Sequence, residues 1–334
     1  MCRAYDTALL DLDGVVYAGG EAVPHAVESL ERARGEGMGL AYVTNNAART
    51  PRTVAEHLTA LGVPAVPEEV VTSAQAVARL MAEQLPSGAR VLCVGGEGLR
   101  VALGERGLVP VESAGEEPAA VVQGYGGADL TWGQLSQAAL AVGRGVPWYA
   151  SNRDLTVPSA GGIAPGNGAA VEVVRIATRW MAEPPEPQVA GKPSPAMHRE
   201  TVLRTGARKP LVVGDRLDTD IEGGYVGGVD ALLVLTGVTD GPQLLAAPPE
   251  HRPRYVAADL RGLLEEQPEV VGDARSGFRC GGFTARVVDG ALTLAGEGEP
   301  LDGLRALCGA AWTHAGSGRG EWETRAVCER LWDG

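Results

Sequence analysis

At 334 residues the chain is long enough for more than one domain and a large core, which excludes a single small module. Apolar residues make up 45%, yet no uninterrupted apolar run reaches the ~20 residues that cross a bilayer and the amino terminus lacks a basic region before an apolar core, so a cytoplasmic protein with no membrane partner is expected. A formal charge of −13 argues against a nucleic-acid partner, because phosphate backbones are bound by a basic face.

Five scattered cysteines, with no Cys-x-x-Cys pair for zinc or redox work, read as reduced thiols. Only Lys192 and Lys209 are lysines among the 29 basic residues, so lysine is a rare choice here. In chain order, the first apolar run, residues 8–10, leads into Asp11-Leu12-Asp13-Gly14, two carboxylates one residue apart before a glycine. Alternate residues of a strand share a face, so both carboxylates can look out from the carboxyl end of a sheet. Two like charges that close repel unless a cation or a shared proton intervenes, which points to a hard metal or to an acid beside a nucleophile. A strand followed by an Asp-Gly turn is the plainer alternative.

Residues 39–44 run as a second strand into Thr44-Asn45-Asn46, a hydroxyl, two amides and a string of backbone N–H groups suited to an oxyanion, or else a capped strand-to-helix loop. Thr50 with Pro51, and Ser73 before an amphipathic stretch, mark helix starts. Residues 90–94 lead into Gly95-Gly96-Glu97-Gly98, a partial echo of a dinucleotide loop that lacks the full glycine pattern. Residues 119–123 and 148–150 are further strands, the latter entering Ser151-Asn152-Arg153-Asp154, and the proline-rich 183–187 reads as a return linker. Two prolines stiffen the backbone around Lys192, and a held ammonium suits a phosphoryl group.

Strand 211–214 ends in Asp215, followed by Asp218 and Asp220; oxygen ligands from Asp11, Asp215 and a backbone carbonyl, with waters, suit Mg²⁺. A Ca²⁺ loop would require Gly at its sixth position and a closing Glu, both missing. Residues 231–235 and 254–257 complete the strands, and their alternation with helix-length segments argues a doubly wound α/β parallel sheet. Active sites of such sheets lie beyond the carboxyl ends of the strands. After about residue 270, a hairpin of 278–288 and 291–295 about Asp289-Gly290, a helix over 301–312, a Gly-Ser-Gly loop and a final helix over 322–331 are expected. Trp312, Trp322 and Trp332 are expected to pack on the core or on a second subunit of a homodimer.

In this order, Asp-x-Asp-Gly, Thr-Asn-Asn, Gly-Lys-Pro and Gly-Asp-x-x-x-Thr-Asp resemble the four motifs of the haloacid dehalogenase (HAD) superfamily. The insertion between the second and third resembles that of the type IIA phosphatases. The resemblance implies a Rossmann-like core over 1–85 and 185–268, an inserted α/β cap over 86–184 and a small α+β extension over 269–334. It further implies that Asp11 is the nucleophile and forms an aspartyl-phosphate, that Asp13 moves the proton, and that Gly14, Thr44 and Asn45 hold the phosphoryl group. Lys192 would neutralise that group, Mg²⁺ would lie on Asp11, Asp215 and the Asp13 carbonyl, and Asp220 and Asn46 would support the ligands. Ser151 to Asp154 resembles the Thr-Asn-x-Asp segment of type IIA caps, so Asn152 or Asp154 could face the substrate; a structural turn is the other reading.

Asp13 argues against a dehalogenase, because halide displacement needs no acid for the leaving group. The tail is similar to the partial acetyltransferase-like piece of actinobacterial glycerol 3-phosphate phosphatases, but is too short for acetyl transfer. Glycerol 3-phosphate, then 2-phosphoglycolate, are the small phosphorylated metabolites expected as substrates. A phosphomutase, or a non-catalytic phosphometabolite sensor on the same scaffold, is the alternative.

Overall fold

The computed structural model describes residues 1–159, 161–314 and 324–332. Two compact units divide the chain: Met1–Ala18 with Ala22–Gly39 and Lys209–Gly334, and Gly19–Glu21 with Leu40–Arg208. Among the described residues no helix is long and apolar enough to cross a membrane.

In the first unit, four parallel strands pair in the order Thr7–Leu10, Pro210–Gly214, Ala231–Val234 and Tyr255–Ala257. Their short continuous apolar runs are buried throughout in Thr7–Leu10 and Ala231–Val234, as parallel strands covered on both faces must be. An antiparallel sheet follows, of Val271–Asp273, Gly277–Cys280, Phe283–Val288 and Ala291–Gly296. The run expected as one strand over 278–288 is thus two, separated at Gly281-Gly282, where Gly281 takes a φ of 53° that favours glycine. The predicted turn at Asp289-Gly290 is present, with φ of 50° and 79°, the two positive values a type I′ hairpin requires.

Helix Pro300–His314 packs on this sheet, and Leu304, Leu307, Val327 and Leu331 join Leu233, Leu244 and Val256 in one core. Among the described residues, the extension therefore shares its interior with the strands of the first unit. Trp312 takes the first of its two expected alternatives: its indole N–H donates to the Leu244 carbonyl at 3.1 Å, and the Arg252 guanidinium lies 5.7 Å from its ring centre. Trp322 and the Gly-Ser-Gly loop lie outside the described residues, as does the side chain of Trp332; the last helix is Thr324–Trp332. All five cysteines are unpaired and buried, and burial pushes the Cys93 and Cys308 thiols well above their ordinary range.

In the second unit, the end of strand Gly39–Thr44, from Tyr42 to Thr44, pairs in parallel with Val70–Thr72. A five-stranded parallel sheet runs Gln188–Val189, Trp148–Ala150, Ala120–Gln123, Arg90–Val94, Val109–Val111. Gln188–Val189, just past the proline-rich linker, thus returns to the sheet of the residues before it. Thr50 caps Pro51–Ala60 as expected, whereas the cap of the next helix, Ser73–Ala82, is Thr72, whose hydroxyl accepts from Gln75 N while Gln75 Oε1 accepts from Thr72 N. The glycines at 96 and 98 are explained by contact, since a Cβ on either would strike the backbone of Ala48 or Arg49. They serve close packing, and the dinucleotide echo needs no ligand.

Glu200, with no exposed side-chain surface, is held by Arg79 and Arg204 and, at 3.2 Å, by Arg106. Burial alone would raise its carboxyl, but the hydrogen bonds and charge of Arg79 and Arg204 outweigh it and hold Glu200 below the usual carboxylate range. Its contribution to stability is thus present above the unfolded value and lost as pH falls towards the folded one. Glu200→Gln should cost about 3 kcal/mol at neutral pH, near the low end for breaking a buried pair because the guanidiniums keep some solvent, and the penalty should shrink on acidification. Urea unfolding at pH 7 and pH 4 checks both the size and the sign.

Candidate active site

The strand Thr7–Leu10 stops one residue short of Asp11, whose N–H still donates to the Val213 carbonyl at 2.8 Å and so holds it at the strand's carboxyl end. Strand Pro210–Gly214 delivers Asp215 beside it. Gly214 lets the chain turn back: a Cβ there would overlap the Asp220 side chain. A π-helical turn, Leu217–Ile221, then brings the Asp220 carboxylate to the Arg216 N–H at 3.2 Å.

Asp11, Asp215 and Asp220 in this way each offer an oxygen within 4.8 Å of the others, and Asp215 and Asp220 are each 1% exposed. Three carboxylates that close, two of them buried, repel one another, and a cation among them would offset that repulsion. An all-oxygen donor set fits a hard divalent ion and suits neither zinc nor copper, which favour nitrogen or sulfur. Asp13, one residue beyond Leu12, does not join this group of three among the described residues. Gly14 has a φ of +83°, and a Cβ there would lie 2.6 Å from Asp215 Oδ2, so only glycine serves at the junction.

In the second unit the other predicted residues gather around Asn45. Thr44, 4% exposed, accepts the Asn46 N–H on its hydroxyl at 3.1 Å. Asn46 itself turns the chain, its Oδ1 accepting from Ala48 N at 2.9 Å and Arg49 N at 3.3 Å. The side chain of Asn45 accepts from Lys192 N at 2.8 Å, and donates to Asp154 Oδ2 at 3.1 Å and to the Lys192 carbonyl at 3.3 Å. Its backbone carbonyl accepts from Ser73 Oγ at 2.6 Å and Asn152 Nδ2 at 2.7 Å. Gly191 lets two loops approach, since a Cβ would strike the Ser151 carbonyl and Asn45 Oδ1. The Lys192 ammonium donates to the Val43 carbonyl at 3.3 Å, which holds it at the end of strand Gly39–Thr44.

Asn152, 3% exposed, has its amide on Asn45 and its Oδ1 on the Asp154 N–H at 3.1 Å, the contacts of a structural turn. Asn45 is thus a hub for three loops, a role its place in a Thr-Asn-Asn motif does not announce.

Residues 236–239 of the first unit also touch the carboxylate group and were not singled out from the sequence. Thr236 Oγ1 donates to the Gly14 carbonyl at 2.5 Å and Val238 N to Asp215 Oδ2 at 2.7 Å. The signal is present in the sequence, because these residues directly follow the apolar run 231–235, as Thr44 and Asp215 follow theirs.

Comparison with known proteins bears on this geometry. Residues 8–109 match the haloacid dehalogenase-like hydrolase model, residues 189–263 an HAD-hydrolase-like model, and residues 280–333 a GCN5-related N-acetyltransferase-like domain. A D-glycerol 3-phosphate phosphatase of Mycobacterium tuberculosis is 41% identical over 93% of this chain and 87% of its own. An acid sugar phosphatase of Staphylococcus haemolyticus is 35% identical over 79% of this chain and 97% of its own. The crystal structure of a glycerol phosphate phosphatase from Mycobacterium tuberculosis in complex with magnesium superposes with a TM-score of 0.88 at 40% identity, covering 99% of this chain and 98% of that one. Sequence motifs, site geometry and relatives agree, and the chain belongs to the haloacid dehalogenase-like hydrolases.

Proposed function

We propose that the protein is a Mg²⁺-dependent phosphatase that hydrolyses a small phosphomonoester, glycerol 3-phosphate before 2-phosphoglycolate, through an aspartyl-phosphate on Asp11. The observation that carries this reading is the group of Asp11, Asp215 and Asp220, whose close, largely buried oxygens suit Mg²⁺. The named activities of the relatives point to the same chemistry.

Asp11 attacks phosphorus as the ester P–O bond breaks, and the Asp13 carboxyl gives its proton to the departing oxygen. Asp13 then takes a proton from the water that attacks the phosphorus of the aspartyl-phosphate, releasing inorganic phosphate and freeing Asp11. Mg²⁺, when bound by Asp11, Asp215 and the Asp13 carbonyl with Asp220 in support, supplies positive charge against which an anion can meet a carboxylate. Lys192 adds a second positive charge, and Thr44, Asn45 and Gly14 hold the phosphoryl oxygens while Asn46 sets the loop. Asp13 must stay off the metal through its side chain to keep its proton near neutral pH.

Residues 86–184 form the substrate-selecting cap in this reading, with Asp154 the cap-segment residue nearest in role to specificity. A cytoplasmic setting is supported by five unpaired buried cysteines. Phosphate release measured over a panel of phosphomonoesters, with Mg²⁺ and with chelator, tests the reading. Sustained Mg²⁺-dependent release with glycerol 3-phosphate foremost is expected. Isomerised product without release would make it a mutase, and ligand binding without turnover a sensor.

A further inference from the structure

We propose that residues 236–245 are a positioning segment for Asp215 and that the C-terminal extension is their brace; this rests on the metal role of Asp215 proposed above. Two contacts tie the segment to the carboxylate group. Val238 N donates to Asp215 Oδ2 at 2.7 Å, a charge-assisted bond, while Thr239 N donates to the Asp215 carbonyl at 3.2 Å. Thr236 Oγ1 donates to the Gly14 carbonyl at 2.5 Å, so one loop grips both chain segments that supply the carboxylates. The grip is tight enough that a Cβ on Gly237 would overlap Asp215 Oδ2.

The loop runs straight into the helix Gly241–Leu245, whose start is locked by reciprocal hydrogen bonds between Asp240 and Gln243 at 2.8 Å and 2.9 Å. The extension covers that helix. A Cβ on Gly241 would come within 3.1 Å of Cys328 Sγ and 3.5 Å of Leu304 Cδ1, and Trp312 Nε1 donates to the Leu244 carbonyl at 3.1 Å. Leu244 and Leu245 are 0% and 1% exposed within the core they share with the extension. A metal ligand placed by a loop is held no better than the loop is, and outer-shell contacts of this kind tune metal affinity. The acetyltransferase-like piece thus acts mechanically, through packing on the helix that follows the loop.

Because the core is shared, removing the extension would expose it, and point changes are the sharper test. Mg²⁺ binding is measured by titration calorimetry, with melting in chelator as a check on the fold. Thr236→Val should weaken Mg²⁺ binding about three- to tenfold, the worth of one hydrogen bond, with melting in chelator unchanged, and Thr236→Ser should restore it. Trp312→Ala should weaken Mg²⁺ binding at least about threefold, the scale of coupling through a packed path, and Trp312→Phe serves if the first does not fold. Parental Mg²⁺ affinity in Thr236→Val overturns the positioning role, and parental affinity in a folded Trp312 variant overturns the brace. If instead the unaltered protein binds no Mg²⁺, the metal reading itself has failed.

Discussion

Asp11→Asn should remove at least about 10³-fold of turnover while leaving phosphomonoester binding within about threefold, because the amide keeps the shape of the carboxylate but cannot form the acyl phosphate. The expectation comes from its place: Asp11 is held at the end of a buried strand by its N–H on Val213 and shares a carboxylate group with Asp215 and Asp220. Uncatalysed phosphate monoester hydrolysis is so slow that enhancements reach ~10²¹, so a covalent route cannot be lost cheaply. Steady-state phosphate release, with equilibrium binding of substrate to the variant, separates the two quantities. Retained activity above a few per cent of the parent would sink the nucleophile assignment, and loss of binding along with turnover would recast Asp11 as a ligand for substrate.

Asp215→Asn should weaken Mg²⁺ binding at least about 100-fold and lower kcat by a similar or larger factor at ordinary Mg²⁺ concentrations. Asn can still accept the Val238 N–H, so the loop and the fold should survive; what is lost is a negative charge at a site 1% exposed to water. Removing that charge relieves repulsion among three close carboxylates, two of them buried, so the apo variant should melt no lower than the parent. Calorimetry with Mg²⁺ and melting in chelator measure the two effects in opposite directions. Chelator applied to the parent should abolish phosphate release reversibly, with readdition of Mg²⁺ restoring it. Activity indifferent both to chelator and to this substitution would remove the metal from the mechanism.

Much of the architecture was legible because parallel strands buried on both faces must be continuous apolar runs, and residues 8–10, 39–44, 90–94 and 231–235 are such runs. Strands of two or three residues, such as Gln188–Val189 and Val70–Thr72, are too short to carry a period and appear only when a neighbour supplies the ladder. The turn at Gly281-Gly282 was hidden inside an otherwise strand-like stretch. At the site, residue types with chemistry to offer, Asp11, Asp13, Thr44, Lys192 and Asp215, declared themselves by following strands or stiff loops. Thr236 and Gly237 sit in the same kind of place but bring no charge, and their part emerges only from what they touch.

The order of the motifs, the apolar runs and the rarity of lysine determined the fold class, the reaction class and the family, since these depend on residue type and spacing along one chain. Tertiary structure alone decided how closely Asp11, Asp215 and Asp220 converge, that Asn45 ties three loops together, and that described residues of the C-terminal extension, among them Leu304, Leu307 and Val327, share a core with the strands that carry the site. The physical reason is that such contacts join groups up to 200 positions and more apart, as Thr236 and Gly14 are at a separation of 222, where local pattern carries no information.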